Sequence, residues 1–173
     1  VLTEAGIALW PTLYGLLRWG SRYAPGAGPP PRTFVHGVCE TELDENGRFI
    51  RAFAEGLFTR SHGLRIDRDG NLWATDVGSH VVMKLSPQGN VLLTLGTRGA
   101  AGEWNEATGS RKLNQPNDVI LGPNGDIFVA QGHTPGPMGD PRVLKFDNTG
   151  KFIKSWGGKG KGPGQFEVAH GLA

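Results

Sequence analysis

Residues 61–96 read SHGLRIDRDGNLWATDVGSHVVMKLSPQGNVLLTLG, and this stretch decides the fold. Short runs rich in Val, Leu, Ile and Trp alternate with turn clusters of Gly, Asp, Asn and Pro. This spacing predicts four strands joined by tight turns, with Trp73 facing the core. The predicted strands are 62–66, 72–75, 81–85 and 91–95. Four strands in about forty residues is the size of one β-propeller blade.

The same unit recurs in residues 117–157. The superposed positions are Gly70 with Gly125, Trp73 with Phe128, Gly89 with Gly150 and Gly96 with Gly157. The later copy is longer, because residues 133–141 are inserted between its second and third strands. Upstream, residues 43–53 match the last hairpin of the unit, and downstream, residues 168–172 match its first strand. The repeat predicts an all-β fold, a partial β-propeller of four-stranded blades, with about two and a half blades present.

The propeller pattern covers residues 43–173 and leaves residues 1–42 unassigned. Residues 1–20 are apolar but interrupted by charges and a proline, and two interpretations remain open. The segment is either a remnant of a signal or anchor, or a poorly ordered or foreign sequence. Residues 21–32 are rich in Pro and Gly and are typical of a linker.

Both ends of the chain look cut, since no initiator Met begins it and a strand pattern runs into its last residue. An incomplete ring leaves strand edges unpaired, so we expect an isolated chain of this length to self-associate through those edges.

Composition excludes some functions. The net charge of +2 comes without a basic run interleaved with aromatic residues, so nucleic-acid binding is unsupported. No membrane span is assigned, because no apolar stretch is long and uncharged enough. Cys39 is the single cysteine, so the chain has no internal disulfide.

Two histidines are equivalent by repeat. His62 and His170 each open a predicted innermost strand, and Asn117 holds that position in the blade between them. Innermost strands line the channel of a propeller, so equivalent positions converge on its axis. In a six-bladed ring, a His in every second blade places three imidazoles around one point, as in a catalytic zinc site. The third His is then expected two blades beyond His170, past Ala173. The alternative is that these histidines are satisfied structural groups at strand starts.

The ordered motifs resemble a known family. The stretches SHGLRIDRDGNLWATDVGSHVVMKL, LNQPNDVILGPNGDIFVAQG, RVLKFDNTGKFIKSWG and GPGQFEVAHGLA are similar to the lyase domain of the peptidylglycine α-amidating monooxygenases. That domain is a six-bladed propeller of the NHL-repeat class, so the resemblance implies NHL-type blades. It also favours an extracytoplasmic or secreted location.

The resemblance implies roles for several residues. His62 and His170 match two of the family's three zinc ligands, and the carbonyl of Leu64 matches a ligand of its structural calcium. The family's lyase splits a peptidyl-α-hydroxyglycine into a peptide amide and glyoxylate. In that reaction zinc is a Lewis acid near the substrate hydroxyl, and a tyrosine is the proposed base. A small peptide or another α-hydroxy amide is therefore the expected substrate.

The sequence departs from the family pattern in three places. His133 stands where the family has its tyrosine, in Gln131-Gly132-His133 instead of Asp-Gly-Tyr. The family's substrate-positioning arginine has no match in residues 1–42, and the third zinc ligand and the acidic calcium ligand are expected beyond Ala173. An imidazole titrates near neutral pH, so His133 is a candidate base, with a solvent-exposed loop histidine as the alternative.

Other side chains are expected to be structural. His80 is expected to have no chemical role, and Asp76 is expected to tie a turn through backbone amides.

Three functions remain open on the sequence. The first is a zinc lyase that resembles the amidating enzyme. The second is a non-catalytic NHL-repeat propeller that serves as a scaffold for a protein or glycan. The third is another metal-dependent propeller enzyme, such as a hydrolase.

Overall fold

In the computed structural model, the described residues are 33–36, 41–44, 48–52, 54, 56–134 and 139–173. The chain divides into two compact units, Val1–Glu55 and Gly56–Ala173. Residues 1–32 lie outside the described residues, and so does Cys39. The expectations for the apolar segment and the linker therefore fall on residues that are not described.

The first unit contains a three-stranded antiparallel sheet. Its strands are β1 (Thr33–His36), β2 (Thr41–Asp44) and β3 (Phe49–Ala52). The β2–β3 hairpin lies where the repeat places one, over residues 43–53. Strand β1 lies within residues 1–42, where the sequence showed no clear pattern.

The second unit contains two four-stranded antiparallel sheets in which each strand pairs with its neighbour along the chain. The first blade is β4 (Ser61–Ile66), β5 (Leu72–Asp76), β6 (Val81–Leu85) and β7 (Val91–Leu95). After the short hairpin β8 (Trp104–Asn105) and β9 (Ser110–Arg111), the second blade is β10 (Pro116–Leu121), β11 (Ile127–Gln131), β12 (Arg142–Phe146) and β13 (Phe152–Gly157). These blades confirm the predicted all-β, partial β-propeller fold. Within the described residues there is no helix with the length and apolar composition needed to span a membrane.

The two blades bury a common core. Strand β5 is buried at every position, whereas β7 is exposed along most of its length. Trp73 is 3% exposed, which confirms that it faces the core. The core joins side chains of both blades and of the connection between them: Trp73, Val82, Leu95, Leu113, Val119, Ile127, Val129, Leu144 and Phe146. This packing fixes the innermost strands β4 and β10 next to each other.

The opening strand that was expected over residues 168–172 is not a strand in the structure, because no described segment forms a backbone ladder with it. The segment is instead held against β10 by side chains. Asn117 Nδ2 donates to the Ala169 carbonyl over 2.6 Å, and the Leu172 N–H donates to Asp118 Oδ2 over 2.9 Å.

Candidate metal centre

Three histidines meet at one end of the innermost strands. The ring centroid of His62 lies 4.7 Å from that of His133 and 4.9 Å from that of His170. His133 and His170 are 5.1 Å apart by the same measure. One nitrogen of each ring lies within 4.8 Å of the others. His133 is half-buried, and His170 is exposed.

A β-bulge aims His62 at this point. The register of β4 on β5 shifts between Ser61 and Leu64, so His62 and Gly63 form the bulge. The Thr75 hydroxyl oxygen accepts the Gly63 N–H over 2.7 Å and so satisfies the backbone there. A bulge re-aims a side chain at the edge of a sheet, and here it turns His62 toward the neighbouring blade.

The tautomer of His62 follows from its hydrogen bond. His62 Nδ1 lies 2.8 Å from the carbonyl oxygen of Asn117. A carbonyl only accepts, so Nδ1 carries the proton and the lone pair is on Nε2. A fixed tautomer with one free nitrogen is the usual state of a metal-binding histidine.

His133 follows directly after β11. Gly132 has φ +88°, and a Cβ at that position would lie 2.5 Å from Pro141 Cα, so glycine is required there. Burial, and then the nearby charges of His62, His170 and Arg60, lower the pKa of His133 below its ordinary value. The imidazole is therefore neutral at neutral pH, with a lone pair available.

The structure adds His133 to the two histidines that the repeat made equivalent. The sequence placed a third zinc ligand past Ala173 and gave His133 the role of a base. In the structure His133 lies beside His62 and His170, and the third ligand expected past Ala173 stays a prediction. The insertion therefore does not carry His133 away from the site, although residues 135–138 of it lie outside the described residues.

Asp76 joins the segment just before β4 to the turn just after β5. Its carboxylate oxygens accept the backbone N–H groups of Thr59, Arg60, Gly78 and Ser79 and the Ser79 hydroxyl. Burial alone raises the pKa of Asp76, but these hydrogen bonds outweigh it and hold the pKa below its ordinary value. This is the turn role that the sequence predicted.

His80 lies outside the cluster. Its Nδ1 accepts the Gln115 N–H over 3.2 Å, and burial lowers its pKa despite the opposing charge of Asp76. This contact agrees with a structural role.

The Leu64 carbonyl oxygen accepts a hydrogen bond from the next residue. Arg65 Nη1 donates to the Leu64 carbonyl over 3.1 Å, and Arg65 Nη2 pairs with Asp118 Oδ2 over 3.0 Å. Calcium binds carbonyl and carboxylate oxygens, so a cation at Leu64 would require the Arg65 guanidinium, whose side chain is 45% exposed, to move away, and the calcium ligand stays a prediction.

The histidine cluster does fit zinc. Imidazole nitrogen is a preferred zinc ligand, and tetrahedral geometry at bonds of about 2.0–2.1 Å sets neighbouring nitrogens roughly 3–3.5 Å apart. The nitrogens lie within 4.8 Å of one another, so small ring movements bring them to that spacing.

Sequence reasoning missed the polar residues behind the histidines. Gln131 is fully buried. Its Oε1 accepts the Asn114 N–H over 3.1 Å, and its Nε2 donates to Asp140 Oδ2 over 2.8 Å. Asp140 also pairs with Arg142 over 2.7 Å. One signal in the sequence could have revealed them. Gln131 stands at the repeat position of Asp76, so the turn that follows it is expected to differ, and this is where the later blade carries its insertion.

Several curated proteins are similar to this chain in sequence over most of its length. The chain is 37% identical over 135 residues to the peptidylglycine α-amidating monooxygenase of Rattus norvegicus, which is 74% of this chain and 13% of that protein. It is 35% identical over 134 residues to the probable peptidyl-α-hydroxyglycine α-amidating lyase of Caenorhabditis elegans, covering 76% of this chain and 35% of that protein. This chain is a relative of the α-amidating lyases. A third relative is peptidyl-α-hydroxyglycine α-amidating lyase 1 of Drosophila melanogaster, 35% identical over 114 residues, or 64% of this chain and 19% of that protein.

The chain thus spans between about an eighth and a third of the length of these amidating-enzyme relatives. No protein-family model matches it. Among solved structures, a streptogramin B lyase has a TM-score of 0.45 at 22% identity, covering 67% of this chain and 32% of that one. A protein of unknown function from Bacteroides caccae has a TM-score of 0.46 at 12% identity, covering 75% and 51% of the two chains.

Proposed function

We propose that this chain carries the metal site of a zinc-dependent lyase that cleaves a peptidyl-α-hydroxyglycine to a peptide amide and glyoxylate. The observation that carries the proposal is the three-histidine cluster, whose nitrogens lie within 4.8 Å of one another. The names of the Caenorhabditis elegans and Drosophila melanogaster relatives, which state this lyase activity, support the reaction type.

His62 and His170 are the proposed zinc ligands, because they hold equivalent positions in the sequence repeat and their ring centroids lie 4.9 Å apart. Zinc, when bound, supplies a Lewis acid beside the substrate hydroxyl. Nε2 of His62 faces away from its Asn117 hydrogen bond and is free to bind. His133 is the proposed base.

The reaction balances through His133. Its neutral imidazole takes the hydroxyl proton, a carbonyl forms at that carbon, and the carbon–nitrogen bond breaks. The electron pair of that bond goes to the amide nitrogen, which takes the proton back from the His133 imidazolium. The peptide amide and glyoxylate leave, and the enzyme returns to its starting protonation state.

The test uses the protein that carries this chain, with zinc content after dialysis and glyoxylate release from a peptidyl-α-hydroxyglycine as readouts. His62→Ala and His170→Ala should each lose zinc. His133→Ala should keep zinc and lower kcat/KM by about 10²–10⁴, the usual value of a positioned base. Asn90→Ala, in an exposed turn, is the matched control.

Three results would contradict this assignment. Zinc retained by both His62→Ala and His170→Ala excludes the shared site. Zinc lost in His133→Ala makes His133 a third ligand and not the base. A wild-type protein that releases no glyoxylate favours a non-catalytic propeller that binds a protein or glycan.

A further inference from the structure

One short segment forms hydrogen bonds to His62 and to residues next to His133 and His170. Gln115-Pro116-Asn117 stands at the start of β10, in the blade between His62 and His170. We propose that Gln115 and Asn117 are positioning residues for the site, Asn117 for the two zinc ligands and Gln115 for His133. This inference rests on the proposed function and deepens it.

Asn117 connects to His62 on one side and to the neighbour of His170 on the other. Its backbone carbonyl accepts the His62 Nδ1–H over 2.8 Å, and its side-chain Nδ2 donates to the Ala169 carbonyl over 2.6 Å. Asn117 is the extra residue of a second β-bulge, since the register of β10 on β11 shifts between Pro116 and Asp118. One residue thus fixes the tautomer of one ligand and the backbone of the other.

The close approach of β4 to Asn117 depends on Gly63. A Cβ on Gly63 would lie only 2.8 Å from the Asn117 carbonyl oxygen, so β4 reaches Asn117 because Gly63 has no side chain. Asn117 is 1% exposed, and its Oδ1 has no hydrogen-bond partner among the described residues. A buried amide oxygen without a partner lowers stability, so folding alone does not explain the choice of Asn.

Gln115 accepts hydrogen bonds from the backbone N–H groups on both sides of His133. The Gly132 N–H is shared between the carbonyl oxygens of Asn114 at 2.9 Å and Gln115 at 3.2 Å, and the Gln115 side-chain Oε1 accepts the Thr134 N–H over 2.9 Å. Gln115 has φ +53°, in the left-handed region that residues with a side chain seldom adopt. This unfavourable conformation lets one residue present both acceptors to the same loop.

Zinc affinity tests the role of Asn117. The metal-free protein that carries this chain is titrated with Zn²⁺ alone, as wild type, Asn117→Ala and the control Asn90→Ala. Removing a residue that orients a metal ligand typically lowers metal affinity 10–100-fold. We expect a loss of affinity of that size in Asn117→Ala and wild-type affinity in Asn90→Ala, because only Asn117→Ala removes the hydrogen bond to the Ala169 carbonyl. Wild-type affinity in Asn117→Ala would overturn the assignment.

Kinetics test the role of Gln115. Gln115→Ala should keep zinc and KM but lower kcat, on the order of 10²-fold if the base moves by about 1 Å. Gln115→Glu keeps an oxygen acceptor for the Thr134 N–H and should restore most of the activity. Gln88→Ala, in an exposed turn, is the matched control. The proposal would be contradicted if Gln115→Ala lost as much zinc as Asn117→Ala, or if Gln115→Glu recovered no activity.

Imidazole ¹⁵N spectra of the metal-free proteins separate this inference from the proposed function. Wild-type His62 should show the Nδ1–H tautomer. Gln115→Ala should alter the signals of His133, and Asn117→Ala those of His170. Unaltered signals in both variants would overturn the positioning roles even in an active zinc enzyme. Altered signals in a protein that binds no zinc would support them while the lyase proposal fails.

Discussion

Replacing Asp76 with Asn perturbs the turn that holds the start of β4. Asp76 is fully buried, and its Oδ2 accepts the Thr59 N–H and the Ser79 hydroxyl, each over 2.6 Å. In Asp76→Asn one oxygen becomes an NH₂ group, and the Oδ1 side keeps its oxygen acceptor. The Ser79 hydroxyl can rotate and accept, but the Thr59 N–H then faces another donor.

The cost follows from that single mismatch. A hydrogen bond to a charged group contributes about 1.5–3 kcal/mol, and the partly buried Thr59 N–H without its acceptor adds about 1 kcal/mol, the lower end of the penalty for a buried donor. We expect Asp76→Asn to lower the free energy of unfolding by about 2–4 kcal/mol at pH 7. With a urea dependence of about 2 kcal/mol per molar, the unfolding midpoint falls by about 1–2 M.

The pH dependence gives a second check. The folded-state pKa of Asp76 lies below its ordinary value, because hydrogen bonds outweigh the effect of burial. The unfolded chain therefore binds a proton first as pH falls, and the stabilisation by Asp76 is lost as pH falls from about 4 through the lowered pKa. Asn does not titrate, so the gap between wild type and Asp76→Asn should narrow below about pH 4.

The assay is urea unfolding of the protein that carries this chain, at pH 7, 5 and 3.5. The matched control is Asp69→Asn, in an exposed part of the β4–β5 turn. Two results would refute the reasoning: a midpoint change in Asp76→Asn no larger than that of Asp69→Asn, or a gap that stays constant down to pH 3.5.

Three further predictions follow from the packing. Gly63→Ala places a Cβ 2.8 Å from the Asn117 carbonyl oxygen, and should cost about 1–3 kcal/mol and weaken zinc binding, measured by thermal melts and Zn²⁺ titration. Phe146→Ala empties a fully buried core position and should cost about 3–5 kcal/mol, while the protein that remains folded binds zinc normally, as the same two assays will show. Isolated residues 1–173 should associate through open strand edges, and a monodisperse monomer by light scattering with a sharp two-state melt would exclude this.

The sequence by itself determined the blades. The strand positions, the turns and the burial of Trp73 depend on the alternation of apolar and polar residues and on turn residues. Both signals can be read from about ten consecutive residues. The repeat also identified His62 and His170 as equivalent positions, and their rings lie close together in the structure, although residues 168–172 do not form the expected strand. The family resemblance followed from the same ordered motifs, and the curated relatives confirm it.

Only the tertiary structure decided which groups meet. His133 belongs to a different blade position from His62 and His170, and its distance to them depends on how an insertion folds back. The hydrogen bonds of Gln115 and Asn117 join residues 17 or more positions apart, which no local pattern encodes. The guanidinium at the Leu64 carbonyl likewise depends on Asp118 of the neighbouring strand. Local periodicity selects each strand, whereas the geometry of a site depends on packing between strands that are distant in sequence.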